Sequence, residues 1–270
     1  MFGFPVRNHG KALLSVVTTV LLCTAGLNHA STALTGSTGL IYVPVADVIP
    51  TDHFAFGGMI ADAQAFPGKT FSYFAEEYPA DFFFAGYLTI GYIPRLELTV
   101  RGNGMPGTEG PSTDVGPFYT DGMFSAQLLA WRGSGYVPSI AFGLQDIYGF
   151  MIFNAAYGVA TWQLPRDDNQ PISITIGWAV DWYDKNIGTS DTDFVPNHIM
   201  NGMLVGVEYP IRRWISTLME YDSRSVNMGL RIQPVKWITI DVASVRWGLD
   251  QLAQRRIRGF SAQLHFDGRL

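Results

Sequence analysis

The sequence predicts an all-β fold: an antiparallel transmembrane β-barrel of about 12 strands, following a cleaved signal peptide. Three observations predict it. Short segments place an apolar residue at every second position. The chain is oily but weakly charged, and beyond the N-terminus no run of 18 apolar residues exists. The connections between segments alternate between long and short.

The alternation is clearest in Ile172-Ser173-Ile174-Thr175-Ile176-Gly177-Trp178-Ala179-Val180-Asp181. Ile, Ile, Ile, Trp and Val share one parity; Ser, Thr, Gly, Ala and Asp share the other. Val226-Asn227-Met228-Gly229-Leu230-Arg231-Ile232-Gln233 and Phe260-Ser261-Ala262-Gln263-Leu264-His265-Phe266 repeat the pattern. Period-2 alternation means strands with one apolar and one polar face. In a soluble sandwich the apolar face is buried between sheets. In a membrane barrel it meets lipid and the polar face lines the lumen.

Composition favours the barrel. The chain is 47% apolar and 14% aromatic, with 15% charged residues. The charged fraction falls well below the roughly 25% of a soluble domain. A helical span needs about 20 apolar residues, and none remains after the N-terminal segment.

Twelve strands are expected, at about 53–61, 82–92, 95–103, 123–132, 137–146, 152–163, 172–182, 201–209, 213–221, 225–233, 236–245 and 257–266. Most are close to the roughly 9–11 residues that cross a bilayer when tilted. With the first strand rising from the periplasm, the outer connections are 62–81, 104–122, 147–151, 183–200, 222–224 and 246–256. The inner ones are 93–94, 133–136, 164–171, 210–212 and 234–235. Most long connections thus fall on one side, an asymmetry of outer-membrane barrels. Three inner turns share a recipe of proline, a cation and an aromatic or large apolar residue, around Pro94-Arg95, Pro210-Ile211-Arg212-Arg213-Trp214 and Pro234-Val235-Lys236-Trp237. Proline lacks a ladder donor and belongs at strand ends. The last strand alternates to Phe266, with Asp267-Gly268-Arg269-Leu270 beyond it.

The first 33 residues read as a secretory signal. Arg7 and Lys11 form the basic region, residues 12–27 the apolar region, and Ser31-Thr32-Ala33 a small-residue cleavage site. A short membrane anchor is the alternative reading. The only cysteine, Cys23, lies inside the signal, so the mature chain holds no disulfide. Removing Arg7 and Lys11 leaves 16 basic against 23 acidic residues, a net charge of −7. That balance speaks against nucleic acid as a partner and against a basic grip on a membrane surface. Residues 34–52 contain Pro44 and Pro50 and read as a periplasmic or plugging segment; residues 53–270 form the barrel.

The inward parity carries Glu97, Arg101, Gln127, Gln145, Glu208, Glu220, Arg231 and Asp241 as candidate lumen-lining residues. Gly86, Gly143, Gly158, Gly177, Gly206 and Gly229 are read as leaving room between them. Such a lumen either hydrogen-bonds a hydroxyl-rich glycan or satisfies its own charges. Arginine at Ile174 or Ile176 is expected to hinder membrane assembly, and arginine at Thr175 to be milder because a polar lumen receives it.

No catalytic residues, cofactor or metal site is expected. Gly102-Asn103-Gly104-Met105-Pro106-Gly107 fits G-x-G-x-x-G, but a dinucleotide turn must open a helix, and Pro106 and Pro111 forbid one. His53, His198 and His265 lack metal-ligand spacing. Outer connections carry Tyr73, Phe74, Glu76, Glu77, Tyr78, Asp184, Asp191 and Asp193, which either bind sugars or cations or are simply solvated.

Three segments carry a family resemblance. Gly36-Ser37-Thr38-Gly39-Leu40-Ile41-Tyr42-Val43-Pro44-Val45-Ala46-Asp47 resembles the opening G-x-T-G-L…P-x-A of the YjbH-type outer-membrane proteins, a family associated with exopolysaccharide production. Gly135-Tyr136-Val137-Pro138-Ser139-Ile140-Ala141-Phe142-Gly143-Leu144-Gln145-Asp146 resembles its Y-x-P-x-x-A-x-G-L-Q-D and is the most specific. Glu220-Tyr221-Asp222, followed by Asn227-Met228-Gly229-Leu230, resembles its late hairpin. The resemblance implies a single-barrel outer-membrane protein in export or assembly of surface polysaccharide. Its implied partners are outer-membrane lipid, polysaccharide and other export or assembly proteins. It brings no catalytic residues, and functions of the further regions of longer members do not transfer. A general small-solute porin and a structural or adhesive surface protein are the alternatives.

Overall fold

The computed structural model describes residues 31–62, 82–106, 118–148, 154–166, 170–181, 200–247 and 259–270. They form twelve antiparallel strands: β1 (His53–Asp62), β2 (Phe82–Ile93), β3 (Leu96–Pro106), β4 (Phe118–Trp131), β5 (Ser139–Gln145), β6 (Ala155–Leu164), β7 (Ile172–Val180), β8 (Gly202–Arg212), β9 (Ile215–Tyr221), β10 (Val226–Val235), β11 (Ile238–Trp247) and β12 (Gly259–Arg269). Each strand pairs with its sequence neighbours, and β1 pairs with β12, so the sheet closes into a barrel with no free edge. The closing ladder runs from His53↔Arg269 to Ala61↔Ser261. β12 therefore continues past Phe266, because β1 still offers partners there, and the Leu270 N–H donates to the Asp52 carbonyl at 2.8 Å.

The period-2 faces sort as physics requires. On β7, Ile176, Trp178 and Val180 are exposed while Thr175 and Ala179 are buried. The same holds for Met228 and Leu230 against Asn227 and Arg231 on β10, and for Phe260 and Leu264 against Ser261, Gln263 and His265 on β12. A closed barrel with an apolar exterior is stable only against an apolar surrounding, which a bilayer supplies. Phe56 and Phe266 stack on that exterior, with ring centroids 5.1 Å apart, and Trp237 lies 6.2 Å beyond Phe266.

The turns lie slightly later than the sequence suggests. Pro210 and Pro234 are inside β8 and β10, and the two-residue turns fall at Arg213-Trp214 and Lys236-Trp237. The register shifts between Pro210 and Arg212, and between Ile232 and Val235. A bulge absorbs the residue that lacks a donor, so the ladder carries past the proline before turning. At Pro94-Arg95 the turn itself holds Arg95 at φ 71°.

Two glycines expected in the lumen face outward. Ala85 and Tyr87 point inward, so Gly86 cannot. It lines up with Gly58, Gly102 and Gly122 in one exposed row across β1–β4. Gly158 lies on the outer face beneath the ring of Phe142.

The core sits inside the barrel. Residues 31–49 occupy the lumen, and their side chains Leu34, Leu40, Ile41, Tyr42, Val43, Ala46 and Val48 pack with inward residues such as Leu204, Leu218, Val159 and Ala243. Burying each large apolar side chain is worth about 1.5–3 kcal/mol. The lumen is thus a packed interior at this level.

Candidate functional site: the plugged lumen

The luminal segment folds by local turns with no regular strand of its own. Isolated bridges join Thr32 to Thr38 and Gly39 to Pro44. Gly36 sits at φ 89° in the first turn, a conformation that side chains strain. Such a segment leaves many backbone N–H and C=O groups unpaired within itself. Buried, they need partners. The barrel's inward polar side chains are those partners.

Two glutamates take most of the segment's N–H groups that reach the barrel wall. Glu220, near the end of β9, accepts from three consecutive N–H groups, Ile41 at 2.9 Å, Tyr42 at 2.8 Å and Val43 at 3.0 Å. Asn227 on β10 also donates to it, at 2.9 Å, and fixes its rotamer. Glu97 on β3 accepts from the Thr38 N–H at 2.8 Å, the Thr38 hydroxyl at 2.6 Å and the Ile49 N–H at 3.0 Å. Both carboxylates are buried. Charge-assisted bonds to backbone N–H groups are the compensation that a buried carboxylate requires.

The acceptors of the segment are met from other strands. Arg231 on β10 donates to the Gly39 and Leu40 carbonyls at 3.1 and 3.2 Å. The same guanidinium pairs Asp241 on β11 at 2.9 Å and Glu208 on β8 at 3.0 Å. Gln127 on β4 donates to the Val45 carbonyl at 2.8 Å and to that of Asp47. Its amide orientation is set by the Tyr157 hydroxyl, which donates to its oxygen at 2.6 Å. Arg132, at the rim, closes the segment's far end by an exposed ion pair to Asp47 at 3.0 Å.

Of the eight inward candidates, Glu97, Gln127, Glu220 and Arg231 bond the segment directly, and Glu208 and Asp241 pair its arginine. Arg101 and Gln145 are buried elsewhere on the inward face; Arg101 reaches the Met59 sulfur at 3.7 Å. The sequence reading did not single out Tyr87, Thr89, Thr161 or Gln263. Thr89 donates to the Gly36 carbonyl at 2.6 Å, and Thr161 accepts from the Ala46 N–H at 2.7 Å. Gln263 donates to the Tyr87 hydroxyl at 2.7 Å and the Thr32 carbonyl at 3.2 Å. Tyr87 and Thr32 share a bond of 2.6 Å. Their signal was present: each falls on the polar parity, and Tyr87 is an aromatic on the inward face.

The lumen glycines serve contact. At Gly91 a Cβ would collide with the Pro50 carbonyl oxygen, so the segment runs directly against the bare backbone of β2. Gly143 is covered by the Tyr157 ring and Gly206 by Leu40.

At the far end of β9, Asp222 caps the turn to β10. It accepts from the Arg224 and Ser225 N–H groups at 3.1 and 2.8 Å, and from Asn227 at 2.9 Å. Burial raises its pKa, opposed by the bonds from Asn227, Ser225 and Arg224. Among the described residues no group of three His, Cys, Asp or Glu side chains is arranged to hold a metal ion. The outer-connection aromatics and acids, and His198, lie outside the described residues.

Replacing Arg231 with methionine is expected to cost about 3–5 kcal/mol, because Asp241 is left buried without its cation. The temperature at which the folded band disappears in heat-modifiable gel mobility should fall markedly. An unchanged transition would mean that the ion cluster is not what holds this wall.

Comparison with known proteins gives three kinds of result. No curated protein matches the chain. Among solved structures, outer membrane phospholipase A from Escherichia coli shares 11% identity, over 82% of this chain and 95% of that one, at a TM-score of 0.40. A mutant of the Rh. blastica porin shares 11% identity over 73% of this chain, which spans only 58% of that porin, at a TM-score of 0.32. The N-terminal β-barrel domain of Pseudomonas aeruginosa OprF shares 7%, over 81% and 98%, at 0.25. A family model described as exopolysaccharide biosynthesis protein YbjH matches residues 33–196, which is 164 of the 270 residues and takes in the luminal segment together with β1 to β7; the chain belongs to the YjbH family.

Proposed function

We propose that this protein is a non-enzymatic outer-membrane barrel serving export or assembly of exopolysaccharide, and that residues 31–52 keep its lumen closed at rest. The observation that carries the closure is the set of barrel side chains, Glu97, Gln127, Arg231, Glu220 and Gln263, bonded to one luminal segment of local turns. The polysaccharide class is supported by membership of the family alone. A filled lumen favours a gated path over the permanently open one of a general porin. The barrel's short-turn rim, which bears both the start of β1 and the end of β12, is read as periplasmic, in keeping with the long connections facing out.

The test is genetic. Cells lacking the protein should release less exopolysaccharide, and the wild-type chain should restore it. An Ile176→Arg chain that cannot assemble should not. Normal polymer release without the protein would sink the reading.

Secretion also sets the mature terminus. Cleavage after Ala33 would discard Thr32, which bonds Tyr87 and Gln263, and Ser31, whose carbonyl accepts from the Gly39 N–H at 2.9 Å. The expected mature N-terminus is therefore Ser31 or a residue before it. Mass spectrometry of the purified barrel reads this directly. A terminus at Leu34 would mean these contacts are absent from the working protein.

A further inference from the structure

The short-turn rim is cationic around its circumference. Arg95 lies in the β2–β3 turn, Arg212 and Arg213 at the β8–β9 turn, Lys236 in the β10–β11 turn and Arg269 at the end of β12, all exposed. Arg166, after β6, lies with its guanidinium carbon 5.0 Å from the centre of the Tyr209 ring. Among the side chains that the structure describes, every exposed basic residue is at this end; Arg224, at the other, is half-buried. Arg132, at the same rim, pairs with an acid, Asp47, at 3.0 Å. Among the described residues Asp52 is the exposed acid nearby; in sequence the β6–β7 connection also carries Asp167 and Asp168.

The cations stand beside outward aromatics. Tyr92 is 66%, Trp131 57% and Trp214 53% exposed. Amphipathic rings on the outside of a barrel mark the headgroup level, and cations at that level meet phosphate. The cations also come from separate connections spread around the barrel, a ring at the level of the aromatic rings rather than one cluster within the lumen.

We propose that this rim is a docking surface for anionic phospholipid headgroups, the arginines and the lysine taking the phosphodiester while the aromatic rings take the upper acyl chain. The proposal rests on the membrane-spanning reading of the barrel.

The full-length protein is reconstituted in phosphatidylcholine bilayers containing either brominated phosphatidylcholine or brominated phosphatidylglycerol. Bromine quenches tryptophan at contact, and Trp131 and Trp214 are the rim reporters. Quenching by brominated phosphatidylcholine reports insertion itself; its absence would sink the membrane reading. Given insertion, phosphatidylglycerol should associate about fivefold more strongly per well-placed cation. The preference should vanish in 0.5 M salt in the wild-type protein, as screening requires. It should also vanish in the Arg95→Gln, Arg212→Gln, Arg213→Gln, Lys236→Gln variant, whose folding is checked by gel mobility. The salt arm decides the matter if that variant does not fold. Equal quenching by both lipids, or a preference that survives salt, overturns the proposal. So does retention of a soluble polyuronate by protein in phosphatidylcholine alone without any lipid preference, which would assign the rim to polymer.

Discussion

Deleting residues 32–49 is expected to turn a silent barrel into a conducting one in planar bilayers. Twelve strands enclose more than the side-chain-filled interior of an eight-stranded barrel, though less than a 16-stranded channel. In this protein the space is occupied by Leu40, Ile41, Tyr42 and Val43, packed against the wall. Without them, the carboxylates of Glu97 and Glu220 face a cavity that must fill with water. A point variant should give a graded version. Glu220→Ala removes the acceptor of three consecutive segment N–H groups, at 2.8–3.0 Å. Bonds to charged groups are worth about 1.5–3 kcal/mol each and do not add fully. A net loss of about 3–4 kcal/mol raises the unplugged population by roughly several hundredfold. Brief openings should therefore appear, and Glu220→Gln, which keeps an acceptor oxygen, should open less often. A deletion variant that is folded by gel mobility yet remains silent would show that something other than this segment closes the lumen.

The second large effect concerns β7. Ile176→Arg should abolish or strongly slow membrane assembly. Ile176 is at the centre of the strand and exposed on the apolar exterior, where a cation costs about 2–4 kcal/mol. The structure changes the expectation for its neighbour. Thr175 is 1% exposed, bonds Thr161 at 2.9 Å and lies behind the Ala46 contact. An arginine there finds no open polar lumen; it must displace the luminal segment, and overpacking of this kind is destabilising in its own right. Thr175→Arg should thus also be damaging, with conductance in whatever fraction folds. The tolerated position on the same strand is Ser173, half-buried near the rim and paired in register with Glu208, which can receive the charge. Heat-modifiable mobility of the three variants should rank Ser173→Arg as folded and Ile176→Arg as unfolded. Equal tolerance at Ile176 and Ser173 would mean that β7 does not cross a bilayer.

Strand number and the facing of the alternating segments were legible in the chain itself. Period-2 alternation is a local property, set by where successive Cβ atoms point, so Ile176 outward and Arg231 inward follow from their own segments. The glycines show where this stops. Gly86 and Gly158 have no side chain to declare a face, and the pairing register decided it. The turn positions at Pro210 and Pro234 depended on bulges, which need a partner strand to exist. The luminal segment was the least legible part. It has no period, and its apolar run from Leu40 to Val43 is compatible with any buried setting. What holds it are bonds across long stretches of chain: Glu220 and Ile41 are 179 residues apart, and Gln263 and Thr32 are 231. The sequence by itself determined that polar groups would face inward. Only barrel closure brought them around one segment, because a buried charge finds its partner in space, and that geometry exists once β12 meets β1.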